Sequence, residues 1–105
     1  EMDSAIRHNI PIVVVVSNNG GFTYRKTRYM NAGDKEGRQN VGRDLGHQRY
    51  DKMVEALGGY GEYVDKPSEI RPAILRAFES GKPSLVNVCT DPEAQATTDM
   101  GFSGY

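Results

Sequence analysis

The sequence predicts an α/β fold in which helices flank a parallel sheet. Strand-like apolar segments alternate with amphipathic helical segments along most of the 105 residues, an order typical of parallel sheets. The segment from Ile10 to Val16 is apolar and rich in β-branched residues, as expected of a strand covered on both faces. A helix is predicted from Pro67 to the residue before Gly81, because proline is typical of the first position of a helix and glycine of the position after its end.

The first two predicted elements are a short helix and the apolar strand. Residues 2–8 fit the end of a helix, because Met2, Ala5 and Ile6 share one face and the basic pair Arg7-His8 suits the negative end of the helix dipole. Four consecutive valines in the segment that follows favour a strand over its alternative, a buried helix.

Two helices and two strands complete the predicted fold. Residues 50–57 form an amphipathic helix whose apolar face comprises Tyr50, Met53, Val54 and Leu57. Residues 67–80 form a second helix whose apolar face comprises Ile70, Ala73, Ile74, Ala77 and Phe78. Short strands are predicted at 61–64 and 85–89, each after a helix.

Composition places the chain among ordinary soluble globular proteins. It is 37% hydrophobic and 26% charged with a net charge of −1, which argues against a general nucleic-acid binder. The longest apolar segment is too short to cross a bilayer, so no membrane association is expected. The single Cys89 excludes an internal disulfide, and with no secretion-signal pattern we expect a reducing, cytoplasmic setting.

Amides and glycines follow the apolar strand directly, in the order Asn18, Asn19, Gly20, Gly21. Ligands of parallel sheets lie beyond the carboxyl ends of the strands, where this stretch is expected. An amide oxygen is a neutral hard ligand that suits Mg²⁺ or Ca²⁺, and glycine lets the backbone approach a ligand closely. The stretch therefore fits a site for Mg²⁺ and a diphosphate, with a sharp turn as the structural alternative.

The stretch "AIRHNIPIVVVVSNNGGF" resembles the end of the cofactor motif of thiamine-diphosphate-dependent enzymes. The stretch "RYDKMVEALGGYGEYVDKPSEIRPAILRAFESGKPSLVNVCTDP" is similar to the end of the same cofactor-binding domain. The likeness spans residues 1–22 and 47–92 and is nearest to the acetolactate-synthase-like branch, with oxalyl-CoA decarboxylase and 2-hydroxyacyl-CoA lyase. It implies that residues 1–92 are the C-terminal part of this domain, with a long loop at 23–46 and a tail at 93–105.

The resemblance implies specific roles at the amide stretch. Asn19 would ligate Mg²⁺ through its side-chain oxygen and Gly21 through its main-chain carbonyl, while Asn18 would orient the turn. Thiamine diphosphate would lie against the set Asn18, Asn19, Gly20, Gly21 and Phe22. An aspartate upstream of Glu1 and a glutamate from a neighbouring subunit would complete the site. We therefore expect part of a homodimeric or homotetrameric enzyme, inactive and unstable as an isolated chain.

Substrate contacts are expected from the loop and the tail. The loop is rich in Lys and Arg among aromatic residues, so Tyr24, Arg25, Lys26 and Arg28 are candidates for contacts with the phosphates of an acyl-CoA. Phe102 and Tyr105 are candidates for a lid over the active site. A solvated loop and a disordered tail are the alternatives. Glu36 and His47 are candidate catalytic residues.

The function expected from this resemblance is cleavage of a 2-hydroxyacyl-CoA to formyl-CoA and an aldehyde or ketone, with the cofactor as electron sink. Oxalyl-CoA decarboxylase and acetolactate-synthase-like activity are the alternatives within the family. A non-catalytic cofactor-binding or scaffold module, or a loop that binds single-stranded nucleic acid, are the alternatives of other classes.

Overall fold

The fold is built on a three-stranded parallel sheet in the order β1-β3-β2, in a computed structural model that describes residues 1–22 and 44–94. The helices and strands are, in chain order, α1 (Met2–Arg7), β1 (Val13–Asn18), α2 (Tyr50–Ala56), β2 (Tyr60–Val64), α3 (Pro67–Glu79) and β3 (Ser84–Cys89). The predicted α/β class, with helices beside a parallel sheet, is confirmed.

The register of the sheet brings the ends of the strands together. β3 pairs with β1 from Val13 opposite Ser84 to Asn18 opposite Cys89, and with β2 as far as Val64 opposite Val88. Because all three strands run in one direction, their carboxyl ends share one edge of the sheet. The amide stretch that follows β1 lies at this edge.

The central strand β3 is the most deeply buried one, with every residue from Ser84 to Val88 buried. The expectation that β1 is covered on both faces is wrong for the described part of the chain, because the Val15 side chain is 47% exposed. Within that part of the chain, β1 pairs only with β3 and lies at the edge of the sheet. The strand also begins three residues later than predicted. Asn9 has a φ of 52° and the Ile10 N–H donates to the Ala5 carbonyl. The first residue of the apolar segment therefore belongs to the cap that ends α1.

The core lies between α3 and the sheet. Ala73 and Ala77 are fully covered and pack with Val64, Val86 and Val88. The prediction that Phe78 belongs to the apolar face of α3 is wrong, because its side chain is 63% exposed. Small residues bring α3 close to the sheet, and the large ring lies outside that contact.

The buried face of α2 differs from the predicted one. Val54 and Asp51 are buried, whereas Met53 and Leu57 are 51% and 43% exposed. The reason is the close approach of α2 to the start of β2, where a side chain at Gly61 would collide with the backbone carbonyl of Asp51. This approach turns the first turn of α2 toward the sheet and buries a carboxylate. No helix among the described residues has the length and apolarity needed to cross a membrane.

Candidate functional site

The tip of β1 folds into a tight turn shaped by its own amides. The Asn18 Oδ1 accepts the Gly20 N–H at 3.1 Å, and the Asn19 Oδ1 accepts the Gly21 N–H at 3.2 Å. Gly20 has a φ of 74°, in the left-handed region that favours glycine. Sequence and geometry therefore agree on why two amides precede two glycines here: each amide bonds the backbone two residues further on.

The side chain of Asn18 is buried and all its polar atoms have partners. Its Nδ2 donates to the Asn87 Oδ1 and to the Gln48 carbonyl, both at 3.0 Å, while its Oδ1 holds Gly20. An asparagine amide has two donors and one acceptor oxygen, so this set engages every group. The side chain that the resemblance assigns to orienting the turn thus faces inward.

A buried polar relay continues from Asn18 across the sheet. Asn87, in the middle of β3 and fully buried, donates from Nδ2 to the Gln48 carbonyl at 2.8 Å and to the Asp51 Oδ1 at 3.2 Å. The Asp51 carboxylate, 1% exposed, accepts from Arg49 through Nη2 at 2.6 Å and Nε at 2.9 Å. We call the chain Arg49–Asp51–Asn87–Asn18 the polar relay.

The relay keeps a buried carboxylate ionised. The hydrogen bonds from Arg49 hold the pKa of Asp51 below its ordinary value; burial opposes this effect and the Asn87 amide reinforces it. The Arg49 guanidinium in turn lies 4.5 Å from the centre of the Tyr63 ring, on β2. The residues that begin α2 are thereby tied to all three strands.

The chain returns from residues 23–43 to the same turn. The Leu45 N–H donates to the Gly20 carbonyl at 2.9 Å, and Gly21 forms an antiparallel bridge with Asp44. The exposed His47 lies beside Gly20 and its Nε2 is 3.3 Å from the Thr90 carbonyl oxygen. The structure therefore brings this candidate to the turn, and its catalytic role stays a prediction.

A cavity of about 290 Å³ opens beside the turn. Asn19 and Gly21 contribute its polar side, and its apolar walls come from residues of the turn, the loop return, α2 and β3: Phe22, Leu45, Tyr50 and Leu85. A concave site with apolar walls and a few polar groups at one side is typical of small-molecule binding. The cavity fits a ligand with a polar end at the turn and an apolar body.

The donors of the turn suit a hard divalent cation. Within residues 1–22 and 44–94, no three side chains of the types His, Cys, Asp and Glu are grouped so that they would hold a metal ion. Neutral amide and carbonyl oxygens are the donors offered there, and they are ligands that Mg²⁺ and Ca²⁺ accept when charged oxygens of the bound ligand join them.

Several predicted site residues lie outside the described part of the chain: Tyr24, Arg25, Lys26, Arg28, Glu36, Phe102 and Tyr105. The structure brings together Asn18, Asn19, Gly20, Gly21 and Phe22, together with His47. The relay residues Arg49, Asp51 and Asn87 were not predicted. The signal for Asn87 was present, since an amide in the middle of the apolar strand "LVNVC" needs a buried partner.

Comparison with known proteins gives one family. The model described as "Thiamine pyrophosphate enzyme, C-terminal TPP binding domain" matches residues 1–88. The chain is 47% identical over 92 residues to a "Probable acetolactate synthase" of Mycobacterium bovis, covering 88% of this chain and 16% of that protein.

Two further relatives carry other activities in their names. An "Oxalyl-CoA decarboxylase" of Escherichia coli is 36% identical over 99 residues, covering 90% of this chain and 16% of that protein. A "2-hydroxyacyl-CoA lyase" of Arabidopsis thaliana is 31% identical over 106 residues, covering 91% and 17%. The chain spans about one sixth of the length of these relatives.

Proposed function

Because the chain belongs to the thiamine pyrophosphate enzymes, through their C-terminal TPP binding domain, we propose that it grips the diphosphate of thiamine diphosphate through Mg²⁺. The observation that carries this proposal is the turn at the tip of β1, whose residues Asn19 and Gly21 line a cavity. This binding site would be completed by an upstream aspartate and by a glutamate from a neighbouring subunit.

Asn19 and Gly21 are the proposed metal ligands, the first through its side-chain oxygen and the second through its main-chain carbonyl. The Asn19 Oδ1 accepts the Gly21 N–H at 3.2 Å, a bond that holds the side-chain oxygen of one proposed ligand beside the backbone of the other. Gly20 and Phe22 would contact the diphosphate, and Asn18 orients the turn through its bond to the Gly20 N–H.

The proposed reaction makes or breaks a carbon–carbon bond beside a carbonyl group. Bound thiamine diphosphate supplies the electron sink for this class of reaction. The residues of this chain hold the diphosphate end, fix its orientation and line the cavity beside it with apolar side chains that exclude water.

Two finer activities are supported by different observations. The stretch of residues 23–46 carries six Lys and Arg residues, which favours a substrate with phosphates and hence cleavage of a 2-hydroxyacyl-CoA to formyl-CoA. The identity of 47% to the relative named as an acetolactate synthase favours acetolactate formation. Decarboxylation of oxalyl-CoA is the third candidate, from a relative at 36% identity.

The binding proposal is tested on the full-length protein by titrating thiamine diphosphate at fixed Mg²⁺ in a calorimeter. We expect saturable, Mg²⁺-dependent binding, weakened by about tenfold or more in Asn19→Ala because one metal ligand is lost. Asn9→Gly is the matched control: it replaces an exposed asparagine before β1, and its φ of 52° suits glycine. Wild-type protein that binds no cofactor in the presence of Mg²⁺ would contradict the proposal.

The activity is assigned by three product assays on the loaded full-length protein. Formyl-CoA from a 2-hydroxyacyl-CoA indicates the lyase, acetolactate indicates the synthase, and CO₂ from oxalyl-CoA indicates the decarboxylase. Saturable cofactor binding without product in any assay would favour a binding or scaffold module instead.

A further inference from the structure

We propose that Asp51 is a positioning residue for the metal-binding turn, acting through Asn87 and Asn18 without touching the metal or the cofactor. This inference rests on the proposed function and adds a residue to it. It follows from the polar relay, which connects a buried carboxylate at the start of α2 to the backbone of Gly20, the residue between the two proposed metal ligands.

The direction of each hydrogen bond in the relay follows from groups that only accept. An ionised carboxylate has no proton to donate, so Asn87 directs its Nδ2 toward Asp51, at 3.2 Å. The Asn87 Oδ1 then faces Asn18, whose Nδ2 donates to it at 3.0 Å. The Asn18 Oδ1 is thereby left to accept the Gly20 N–H at 3.1 Å. The Asp51 carboxylate thus shares with one backbone carbonyl, that of Gln48, the task of orienting the two amides.

The Gln48 carbonyl adds to the same orientation. It accepts from the Nδ2 atoms of both Asn18 and Asn87, at 3.0 and 2.8 Å. Arg49 donates to both oxygens of the Asp51 carboxylate, including the Oδ1 that Asn87 contacts, and these bonds hold the pKa of Asp51 below its ordinary value. The segment that begins α2 therefore supplies both the charge and the second acceptor that hold the relay in one arrangement.

The benefit for the turn is preorganisation. The Gly20 N–H is fixed by Asn18 and the Gly20 carbonyl by Leu45, so both backbone groups of the residue between Asn19 and Gly21 are engaged before any ligand arrives. A site held in its binding geometry loses less conformational freedom on binding. Without the carboxylate, Asn87 keeps only the Gln48 carbonyl as an acceptor for its Nδ2, and we expect the turn to be held less rigidly.

The test compares Asp51→Asn with Glu62→Gln in the full-length protein. Both substitutions neutralise a carboxylate paired with an arginine, since Glu62 binds Arg76 with an Oε2–Nη2 distance of 2.7 Å, but Glu62 has no bond to the turn. Asparagine at position 51 offers an N–H₂ group as well as an oxygen to its neighbours, so the orientation of Asn87 then depends on the Gln48 carbonyl alone. The readouts are the Mg²⁺ concentration for half-maximal binding of thiamine diphosphate and the melting temperature without ligands.

We expect both variants to melt a few degrees lower, and only Asp51→Asn to need about tenfold more Mg²⁺. The kcat at saturating Mg²⁺ should remain within about twofold, because the residue acts on metal affinity alone. Asn87→Ser, which breaks the relay but keeps the ion pair, repeats the test if Asp51→Asn does not fold.

Unchanged Mg²⁺ affinity in Asp51→Asn or Asn87→Ser overturns the inference while leaving the proposed function in place. An equal loss in Glu62→Gln also overturns it, because the effect would then be one of general stability. Absence of Mg²⁺-dependent cofactor binding in the wild type overturns the proposed function and this inference together.

Discussion

Two carboxylates, Asp51 on α2 and Glu62 on β2, have nearly the same local chemistry and different surroundings. Asp51 and Glu62 each pair with one arginine, at 2.6 and 2.7 Å, and in each pair the pKa of the carboxyl lies below its ordinary value, chiefly because of the arginine hydrogen bonds. The Asp51 side chain is 1% exposed and that of Glu62 is 14% exposed. The other hydrogen-bond partner of each carboxylate differs more: it is Asn87 for Asp51, and the hydroxyl of Tyr60 for Glu62.

The difference shows that the role of an ion pair depends on what its remaining lone pairs contact. The pair of Glu62 joins β2 to α3 and ends there. The pair of Asp51 continues through Asn87 to the turn that faces the cavity. Exposed pairs contribute up to about 1 kcal/mol, whereas breaking a buried one leaves an uncompensated charge and is more destabilising. Three experiments sharpen this comparison.

The largest expected loss of stability comes from removing the hydrogen-bond partner that each carboxylate has besides its arginine. Asn87→Leu removes one hydrogen bond from each of Asp51, Asn18 and the Gln48 carbonyl, so we expect the free energy of unfolding to fall by about 3 kcal/mol or more. Tyr60→Phe removes one bond to Glu62 and should lower it by about 1 kcal/mol. Urea denaturation of the full-length protein measures both losses. Equal small losses would contradict the expectation that the polar relay contributes more to stability than the bond between Tyr60 and Glu62.

A smaller effect is expected from separating α2 from β2. The Cβ in Gly61→Ala would collide with the Asp51 carbonyl, so α2 must shift and carry Asp51 with it, at about 2 kcal/mol of stability. Gly81→Ala is the control, because nothing lies within 4 Å of that Cβ and only its φ of 64° is unfavourable, by about 1 kcal/mol. Melting curves compare the two, and a larger loss at Gly81 than at Gly61 would refute the packing argument.

The smallest effect is the dependence of stability on acid. Because the pKa values of Asp51 and Glu62 are lowered in the folded state, the unfolded state takes up protons first, and the stability present above the ordinary values of 3.8 and 4.5 is lost as pH falls below them. Each group contributes a slope of at most about 1.4 kcal/mol per pH unit. Glu62→Gln should remove the part that begins near pH 4.5 and Asp51→Asn the part that begins near 3.8. Variants that keep the wild-type slope would contradict this assignment.

Patterns that depend on neighbouring residues in the chain predicted the fold well. The helix at Pro67–Glu79 and the strand at Tyr60–Val64 were predicted to within one residue, because proline, glycine and apolar spacing mark them locally. Burial was predicted less well. The close approach at Gly61 determines which face of α2 meets the sheet. The exposure of Val15 depends on which elements pack against that face of β1.

The candidate site was predictable where one short stretch forms it and hidden where distant residues meet. Asn18 to Phe22 are contiguous, and the sharp turn that the sequence offered as the structural alternative is present there, while the metal-binding role stays a prediction. Asp51 in the first turn of a helix also fits a favourable contact with the helix dipole, which gives no hint of a buried partner 36 positions away. An amide within an apolar strand signals a partner, but sequence alone does not name it.

The hydrogen bond between Gly20 and Leu45 and the bridge between Gly21 and Asp44 form a closed stem at the carboxyl edge of the sheet. The two sides of the stem hold each other whatever the number of residues between them, because doubling the length of an enclosed segment adds only about 0.6 kcal/mol of closure entropy. Insertions and deletions between Phe22 and Asp44 are therefore expected to leave the stem and the turn in place.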